Sequence, residues 1–313
     1  MKDQKVLITG VRGRVGMSIA LELAKDNEVH GISRGGGYAR ECLEKAGGVF
    51  HQMGMGADSF DALPERFDYI FHQAVTWGVA TPQDEKAAYN VSVKGVVDML
   101  KKYGPGAKRI VLGSTGGVAA ESEDLVNETA LRLPNEDAYH SYKFAMEVIG
   151  EAFADLEGVD VVIPRYYWPW AEHNGFPHTW IIVPMLKNEP VSICESKPNR
   201  FTPIFMPDCV RHSIACAEAE EVPRVINISG PEVVSLKQMA VMVGEILGKE
   251  PVFEDTRESM PTFLGDASLS VRLFGAHEYD VRRSLEAAVE WHRQNPEEHK
   301  KRDIFDAPKF YSK

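Results

Sequence analysis

Tyr139 and Lys143 lie four residues apart in the segment Tyr139-His-Ser-Tyr-Lys143, at the start of a predicted helix. Side chains at this spacing share one face of a helix. A tyrosine with its ordinary pKa of about 10 is a poor base at neutral pH, but a nearby ammonium group stabilises the phenolate and lowers that pKa. The pair therefore predicts proton transfer, with Tyr139 as the acid–base group and Lys143 as its electrostatic partner.

Two hydroxyl side chains, Ser114 and Thr115, directly follow the apolar run 109–113. This run predicts a strand, and the carboxyl ends of strands in a doubly wound parallel sheet open onto the ligand crevice. We therefore expect Ser114 or Thr115 to contact the oxygen of a substrate.

The segment TGVRGRVG, residues 9–16, follows a predicted strand and opens a predicted helix. Backbone N–H groups at a helix N-terminus attract phosphate. Gly10 permits a tight turn, Gly13 lets the backbone approach a pyrophosphate, and Gly16 lets the helix lie close to the sheet. The segment predicts a nicotinamide dinucleotide site, in which Lys143 could also bind the nicotinamide ribose.

The second predicted strand ends in Ile32-Ser33-Arg34, where an NAD-preferring site usually carries Asp or Glu. Ser33 leaves room for a 2′-phosphate, and Arg34 can pair with that phosphate while it stacks on adenine. Arg12, inside the glycine loop, could supply a second positive charge. These residues favour NADP, with NAD as the second choice.

Short apolar runs alternate with helix-length segments over much of the chain. Strands are predicted over 5–9, 29–33, 67–75, 109–113, 159–165 and 225–229, and helices over 14–25, 84–103, 138–156 and 208–220. Continuous apolar strands separated by helices are typical of a parallel sheet covered on both faces. The predicted fold class is therefore α/β, a Rossmann-type doubly wound parallel sheet with a smaller, discontinuous C-terminal substrate domain.

The amino-acid composition changes after Arg165. Residues 166–200 are rich in Trp and Pro, which predicts an irregular insertion lined by aromatic side chains. A further helix is predicted over 235–248, with Ser235 as its N-cap and Gly248 as its stop. We predict a dinucleotide-binding domain over 1–165, to which 203–231 returns, and a substrate-binding domain over 166–202 and 232–313.

Acidic residues outnumber basic ones. The 313 residues include 46 Asp and Glu against 35 Lys and Arg, which gives a formal net charge of −11. This balance disfavours nucleic acid or an anionic membrane surface as a partner. No segment reaches transmembrane length, and the four scattered cysteines lack metal-ligand spacing. We expect a cytoplasmic protein with reduced thiols, no metal and a small-molecule substrate.

Together and in this order, these motifs resemble the extended short-chain dehydrogenase/reductase family, which includes nucleotide-sugar epimerases and dehydratases. TGVRGRVG resembles TGxxGxxG, FHQAV resembles the HLAA segment, and STGGV resembles SSxxV. Glu128 and Pro134 match the E…P stretch before the tyrosine, and PIFMPDCV resembles the segment that opens the late cofactor-domain helix. The resemblance covers most of the chain.

The resemblance implies that Tyr139 is the acid–base residue, Lys143 its partner and Thr115 the substrate-orienting hydroxyl. Ser114 is the alternative hydroxyl. The expected cofactor contacts are Gly10, Arg12, Gly13, Arg14, Val15, Gly16, Ser33, Arg34, Gln73, Ala74, Val75, Lys143, Tyr166 and Trp168. The expected substrate contacts are Thr115, Trp168 and Arg200.

The sequence departs from the nucleotide-sugar pattern at several positions. Trp168 replaces the Asn of RxFNxxGP, and the pyrophosphate-binding arginine aligns near Phe201, beside Arg200. The Asn of NVxGT aligns with Ser92, and the Asp after the third strand is replaced around Gly54. Because a buried pyrophosphate needs polar and cationic partners, these departures predict weak binding of UDP-sugars and a preference for smaller hydroxylated compounds.

The leading functional prediction is an NAD(P)-dependent oxidoreductase that interconverts a secondary alcohol and a ketone on a sugar-like or other small hydroxylated substrate. One alternative is a nucleotide-sugar or sugar epimerase or dehydratase that keeps its NAD bound. Another is a non-catalytic regulator that senses the dinucleotide, although such relatives usually lack the tyrosine or the lysine.

A homodimer is also expected, because relatives often pair through the helices that correspond to 84–103 and 138–156. The apolar residues Val93, Val96, Val97 and Leu100 would fit such an interface. They would fit a face that covers the sheet equally well.

Overall fold

A parallel sheet lies at the centre of the computed structural model, which describes residues 1–76, 81–133, 138–256, 258 and 260–296. The strands along the chain are β1 (Lys5–Thr9), β2 (Glu28–Ser33), β3 (Val49–Gln52), β4 (Tyr69–His72), β5 (Arg109–Leu112), β6 (Ser114–Thr115), β7 (Val161–Tyr166), β8 (Val191–Ile193), β9 (Arg200–Phe201), β10 (Val225–Ile228), β11 (Val234–Ser235) and β12 (Phe253–Asp255). The central sheet has the order β10-β7-β5-β4-β1-β2-β3, and β6 also pairs with β7. All of these pairs are parallel.

Helices cover both faces of this sheet. They are α1 (Arg14–Leu23), α2 (Tyr38–Lys45), α3 (Pro82–Tyr89), α4 (Gly95–Tyr103), α5 (Ala138–Glu157), α6 (Val183–Lys187), α7 (Met206–Glu218), α8 (Leu236–Leu247), α9 (Ser268–Phe274) and α10 (Val281–Gln294). Helices α1, α2 and α7 contribute to the core on one face, and α4 and α5 to the core on the other. The predicted α/β class, a Rossmann-type doubly wound sheet, is confirmed.

The buried strands contribute side chains to the cores on both faces of the sheet. In β1, the side chains of Val6 and Ile8 join the core beneath α1 and α7, whereas Leu7 joins the core beneath α4 and α5. Successive side chains of a strand point to opposite faces, so a strand covered on both sides must be apolar throughout. This requirement explains the continuous apolar run from which the strand was predicted.

A third group of buried apolar side chains lies outside the sheet. It is drawn from 170–205 and 234–289 and includes Trp170, Phe201, Met239 and Leu285. Here β9 pairs antiparallel with β11, and β8 pairs parallel with β12. The intervening β10 pairs with β7 in the central sheet. The predicted boundaries of the two domains stay a prediction.

Several elements were missed or misplaced by the sequence analysis. Helices α2, α9 and α10 were not predicted. The segment 166–200 is less irregular than expected, because it contains α6 and β8 and ends at the start of β9. Strand β8 forms by pairing with β12, about sixty residues later, which no local pattern reveals. Strand β3, implied only by the resemblance, lies at the sheet edge with Val49 exposed, so it lacks a continuous apolar run.

Local capping signals gave accurate helix limits at α8. The Ser235 hydroxyl accepts the backbone N–H of Gln238, and the Gln238 side chain accepts the N–H of Ser235. Gly248 ends the helix with a φ of +71°, in the left-handed region that favours glycine. The predicted N-cap and stop are therefore confirmed.

The apolar face of the helical segment 82–103 mostly covers the sheet. Val96 and Leu100 are fully buried in the core, while Val93 and Val97 are half-buried. The homodimer stays a prediction. Among the described residues, no helix combines the length and the apolar character needed to cross a membrane.

His212 in α7 is completely buried beside the rings of Phe274 and His277. Burial disfavours the charged imidazolium and lowers the pKa of His212 from 6.5 to about 4. The unfolded chain therefore binds this proton more tightly than the folded chain. His212 thus costs stability as the pH falls from about 6.5 towards 4.

Replacing His212 with leucine should reduce the loss of stability at acidic pH. We expect His212→Leu to change the free energy of unfolding at pH 7.5 by less than about 1.5 kcal/mol, because the volumes are similar. The stability lost between pH 7 and pH 4.5 should shrink by about 2 kcal/mol. Urea denaturation at the two pH values measures both quantities, and an unchanged acid loss would contradict the assignment.

Candidate active site

The glycine loop between β1 and α1 is built from close backbone approaches. Gly10 has a φ of +73°, and a Cβ there would lie 2.6 Å from backbone atoms of Ala74. A Cβ on Gly16 would lie 2.6 Å from the Gly10 carbonyl oxygen. Gly13 caps α1 without a side-chain hydrogen bond, and the first turn carries no acidic residue. The residues present therefore fit the phosphates of a dinucleotide.

Thr9 fastens the segment after β4 to this loop. Its hydroxyl accepts the backbone N–H groups of Gln73 at 3.2 Å and Ala74 at 3.1 Å, and it bonds His72 Nδ1 at 2.9 Å. Because the oxygen already accepts two protons, its own proton goes to Nδ1, which leaves the proton of the neutral imidazole on Nε2. Gln73 and Ala74 consequently lie beside the glycine loop. The predicted contacts of Gln73, Ala74 and Val75 with the cofactor stay a prediction. Neither Thr9 nor His72 was predicted to have a role of its own.

The residues predicted to contact the cofactor's ribose and its 2′-phosphate lie around the end of β2. Ser33 is half-buried and Arg34 is exposed, with Arg34 Cγ lying 3.5 Å from where a Gly54 Cβ would be. Arg12 is exposed, and its Nη1 lies 3.0 Å from the corresponding position on Gly35. The structure thus brings both arginines to the end of β2. Their role in cofactor choice stays a prediction.

Two other predicted cofactor contacts, Arg14 and Tyr166, are engaged with protein groups. Arg14 Nη1 donates to the Pro169 carbonyl at 3.1 Å. The Tyr166 hydroxyl is 3.0 Å from Ser213 Oγ and accepts from Gln73 Nε2 at 3.3 Å, and burial raises its pKa. These side chains hold the surrounding segments together in the structure. Val15, the remaining residue of the loop, is half-buried in α1.

Lys143 and Tyr139 share the inner face of α5, one turn apart, and both are buried. Lys143 Nζ donates to the Gly113 carbonyl at 2.6 Å, at the end of β5. Burial lowers the pKa of Lys143 to about 8, while the negative charge of Glu147 acts against that shift. With a pKa of about 8, Lys143 is mostly an ammonium at neutral pH, but it loses its proton more readily than an exposed lysine does.

The structure separates the two candidate hydroxyls. Ser114 is buried and donates to Glu147 Oε1 at 2.6 Å, so it serves an ionic cluster and is not directed at a substrate. Thr115 is half-buried, and its hydroxyl accepts the N–H of Gly117 at 3.3 Å. Of the two hydroxyls, that of Ser114 is hydrogen-bonded to a carboxylate, whereas that of Thr115 accepts only a backbone N–H in the described structure.

The ionic cluster around Glu147 was not predicted. Glu147 is fully buried and accepts from Arg165 Nε at 3.0 Å, Arg165 Nη2 at 2.8 Å and Arg132 Nη1 at 3.1 Å. Arg132 also binds both carboxylate oxygens of Glu151, at 3.0 and 3.1 Å. The only sequence signal was the position of Glu147, four residues beyond Lys143.

A row of rings, which we call the aromatic wall, extends from Tyr139 into the C-terminal part of the chain. Its members are Tyr139, His140, Phe263, Trp168, Phe176 and Phe201. The ring centroids of His140 lie 5.0 Å from Tyr139 and 5.5 Å from Phe263. Trp168 donates to the Phe263 carbonyl at 3.3 Å and contacts Phe201 edge-on at 4.8 Å.

Trp168 has an unusual backbone conformation, with a φ of +51°. Bulky residues rarely occupy this left-handed region, which Asn tolerates better. The indole is half-buried and also meets Phe176 at 5.5 Å between centroids. Packing and one hydrogen bond therefore hold a conformation that the residue type disfavours.

Arg200 is directed to a neighbouring acidic residue. Its Nη1 donates to the Glu123 carbonyl at 3.1 Å and to the Glu123 carboxylate at 3.4 Å. The next residue, Phe201, is buried in the aromatic wall. The expected substrate contact of Arg200 therefore competes with an ion pair.

Of the E…P stretch before the tyrosine, Glu128 is described and Pro134 lies outside the described residues. Glu128 accepts the N–H of Asn227 at 2.9 Å, and its carbonyl accepts from Arg165 Nη1 at 3.3 Å. Across the described parts of the chain, no group of three or more His, Cys, Asp or Glu side chains is placed to hold a metal ion.

Comparisons with known proteins give a family for this architecture. The model of the NAD dependent epimerase/dehydratase family matches residues 6–229. An uncharacterised UDP-glucose epimerase of Bacillus subtilis is 22% identical over 265 residues, which is 79% of this chain and 83% of that protein.

Two solved structures share the fold at low identity. One is UDP-glucuronic acid 4-epimerase from Bacillus cereus with UDP-glucuronic acid and NAD, at a TM-score of 0.81 and 21% identity, covering 93% of this chain and 99% of that one. The other is dTDP-glucose 4,6-dehydratase from Bacillus anthracis with NAD, at 0.80 and 17%, covering 96% and 100%.

Two glycine substitutions should separate folding from binding in the glycine loop. Gly10→Ala should lower the free energy of unfolding by about 2 kcal/mol or more, because alanine meets both a positive φ and a backbone contact. Gly13→Ala should cost about 1 kcal/mol or less in stability. It should nevertheless weaken dinucleotide binding about tenfold or more, because a methyl group would stand where a phosphate approaches.

Urea denaturation and calorimetric titration with NAD and NADP measure these effects. Gly106→Ala is the matched control, because its Cβ would make only an ordinary 3.6 Å contact with Arg66. A Gly13→Ala protein that binds both dinucleotides as the parent does would contradict the assignment of the loop.

Proposed function

The chain belongs to the NAD-dependent epimerase/dehydratase family, and we propose that it is an epimerase or dehydratase acting on a nucleotide sugar with a tightly held dinucleotide. One observation carries the proposal. The glycine loop follows β1, Thr115 ends β6, and Lys143 of α5 donates to the Gly113 carbonyl just after β5, so all of these residues lie along the carboxyl edge of one parallel sheet. The relatives, which include enzymes of UDP- and dTDP-sugars, support a nucleotide-sugar substrate.

In this proposal the chain's own residues control a proton. Tyr139 removes the proton of a substrate hydroxyl, and the Lys143 ammonium stabilises the phenolate that makes this possible. Thr115 orients the substrate oxygen, and the aromatic wall shields the site from water. When bound, the nicotinamide supplies the two-electron acceptor and donor for the oxidation and the later reduction.

A second candidate function is an oxidoreductase of smaller hydroxylated compounds, and the aromatic wall favours it. Trp168 and Phe201 stand where the resemblance places a polar and a cationic group for the nucleotide. Arg200 is paired with Glu123. Rings of this kind suit the C–H faces of sugars and flat ketones, whereas a desolvated pyrophosphate needs charged partners.

Turnover with a substrate panel should distinguish the two functions. We expect incubation with UDP- and dTDP-sugars to give a redox-neutral product by NMR, without a net gain of absorbance at 340 nm. Tyr139→Phe should abolish product formation, because the phenolic proton carrier is removed. Stoichiometric appearance of reduced cofactor with free sugars or sugar acids would instead establish the second candidate.

The cofactor preference is a separate proposal. Ser33, Arg34 and Arg12 favour NADP, whereas the structural neighbours above hold NAD. We expect the dissociation constant for NADP to be at least about fivefold lower than that for NAD, because a guanidinium can bind the 2′-phosphate. Arg34→Ala should remove most of this difference while leaving NAD affinity nearly unchanged.

Fluorescence titration with each dinucleotide measures the preference. Arg40→Ala is the matched control, since Arg40 is also exposed near the end of β2 but lies over the Phe50 ring. Tighter binding of NAD than of NADP by the parent protein would overturn the argument from Arg34.

A further inference from the structure

Lys143 is a cation in a buried position, so the groups around it decide whether it stays charged. Its ammonium bonds the neutral carbonyl of Gly113. From β4 the site is faced by His72, whose pKa burial lowers to about 3, so the ring is neutral at physiological pH. From α5 itself come Tyr139 and, one turn beyond the lysine, Glu147. Within the described residues, Glu147 is thus the anionic group that acts on this ammonium.

The same carboxylate joins three segments that carry the site. Its Oε1 binds Ser114 of β6 and Arg165 of β7, and its Oε2 binds Arg165 and Arg132. Ser114 and Arg165 are register partners in the β6–β7 pair, so both project from the same side of the sheet towards α5. Thr115 follows Ser114 directly and is placed by this anchor.

Its position in a charge-balanced cluster, buried one helical turn from Lys143, distinguishes Glu147 from an ordinary structural ion pair. Glu147 and Glu151 carry two negative charges, and Arg132 and Arg165 carry two positive charges, so the cluster is neutral as built. Neutralising Glu147 would leave a net positive charge beside Lys143. A positive field in a desolvated site favours loss of the lysine proton.

We propose that Glu147 is a positioning residue of this site, which fixes β6 against α5 and keeps the buried Lys143 ammonium protonated beside Tyr139. The proposal rests on the acid–base role assigned to Tyr139 and Lys143 above. It does not depend on which substrate the protein uses.

The test reads the ionisation of Tyr139 directly, without turnover. Phenolate absorbance at 295 nm is followed against pH, and the same titration of Tyr139→Phe in the matching background is subtracted. With Glu147→Gln, we expect the apparent pKa of Tyr139 to rise by about one pH unit or more. Lys143, one turn from Tyr139, loses its charge, and this loss outweighs the direct effect of removing an anion two turns away. Titrations with and without saturating NAD should agree in direction.

Two further variants separate charge from geometry. Glu151→Gln is the matched control. Glu151 lies one turn beyond Glu147 on α5 and binds Arg132, but it contacts neither Ser114 nor Arg165. This variant should leave the Tyr139 titration nearly unchanged, because Glu151 is partly exposed and lies two helical turns from Lys143, whereas Glu147 is buried one turn away. Glu147→Asp keeps the charge but shortens the side chain, so the pKa of Tyr139 should stay near that of the parent.

Circular dichroism and thermal melting establish that each variant is folded. If Glu147→Gln does not fold, the double variant Glu147→Gln/Arg165→Met removes both members of the buried pair, a change that is often tolerated. A smaller upward shift is then expected. A folded protein without Glu147 whose Tyr139 titrates as in the parent would overturn the proposal. A missing product in the substrate panel would bear only on the proposed function.

Discussion

A carboxylate with no access to water, that of Glu147, is satisfied by one serine and two arginines at 2.6 to 3.1 Å. Burying such a charge is costly unless every lone pair finds a partner. Because the partners come from β6, β7 and the segment at Arg132, meeting that requirement fixes these parts against α5. The placement of Lys143, and of Thr115 after Ser114, follows from this single constraint.

The opposite side of the site is arranged by close contact and not by charge. Gly10 and Gly16 leave no room for a Cβ, and Thr9 binds two successive backbone N–H groups beyond β4. These contacts hold the start of α1 next to Gln73 and Ala74. Backbone groups with fixed positions lose little entropy when a ligand binds, which suits a site for an anionic cofactor.

The aromatic wall begins at Tyr139 and sets the character of the surface next to it. Its rings run from Tyr139 through His140 and Phe263 to Trp168, which adopts a strained φ of +51°. The fold is shared with enzymes of nucleotide sugars, but a shared fold at about 20% identity leaves the substrate pocket free to differ. The chemistry at Tyr139 and the surface beyond it are therefore separate questions.

The sequence by itself determined the sheet class, the glycine loop, the Tyr139–Lys143 spacing and the limits of α8. All of these are local patterns, in which periodicity, capping or a tight turn depends on residues a few positions apart. Only the tertiary structure distinguished the surroundings of Ser114 and Thr115. Adjacent residues of a strand face opposite sides, and the partner that claims Ser114 lies 33 positions away. Arg14, Tyr166 and Arg200 were likewise bound by groups far along the chain, because hydrogen-bond partners are assigned by packing and not by neighbours in sequence.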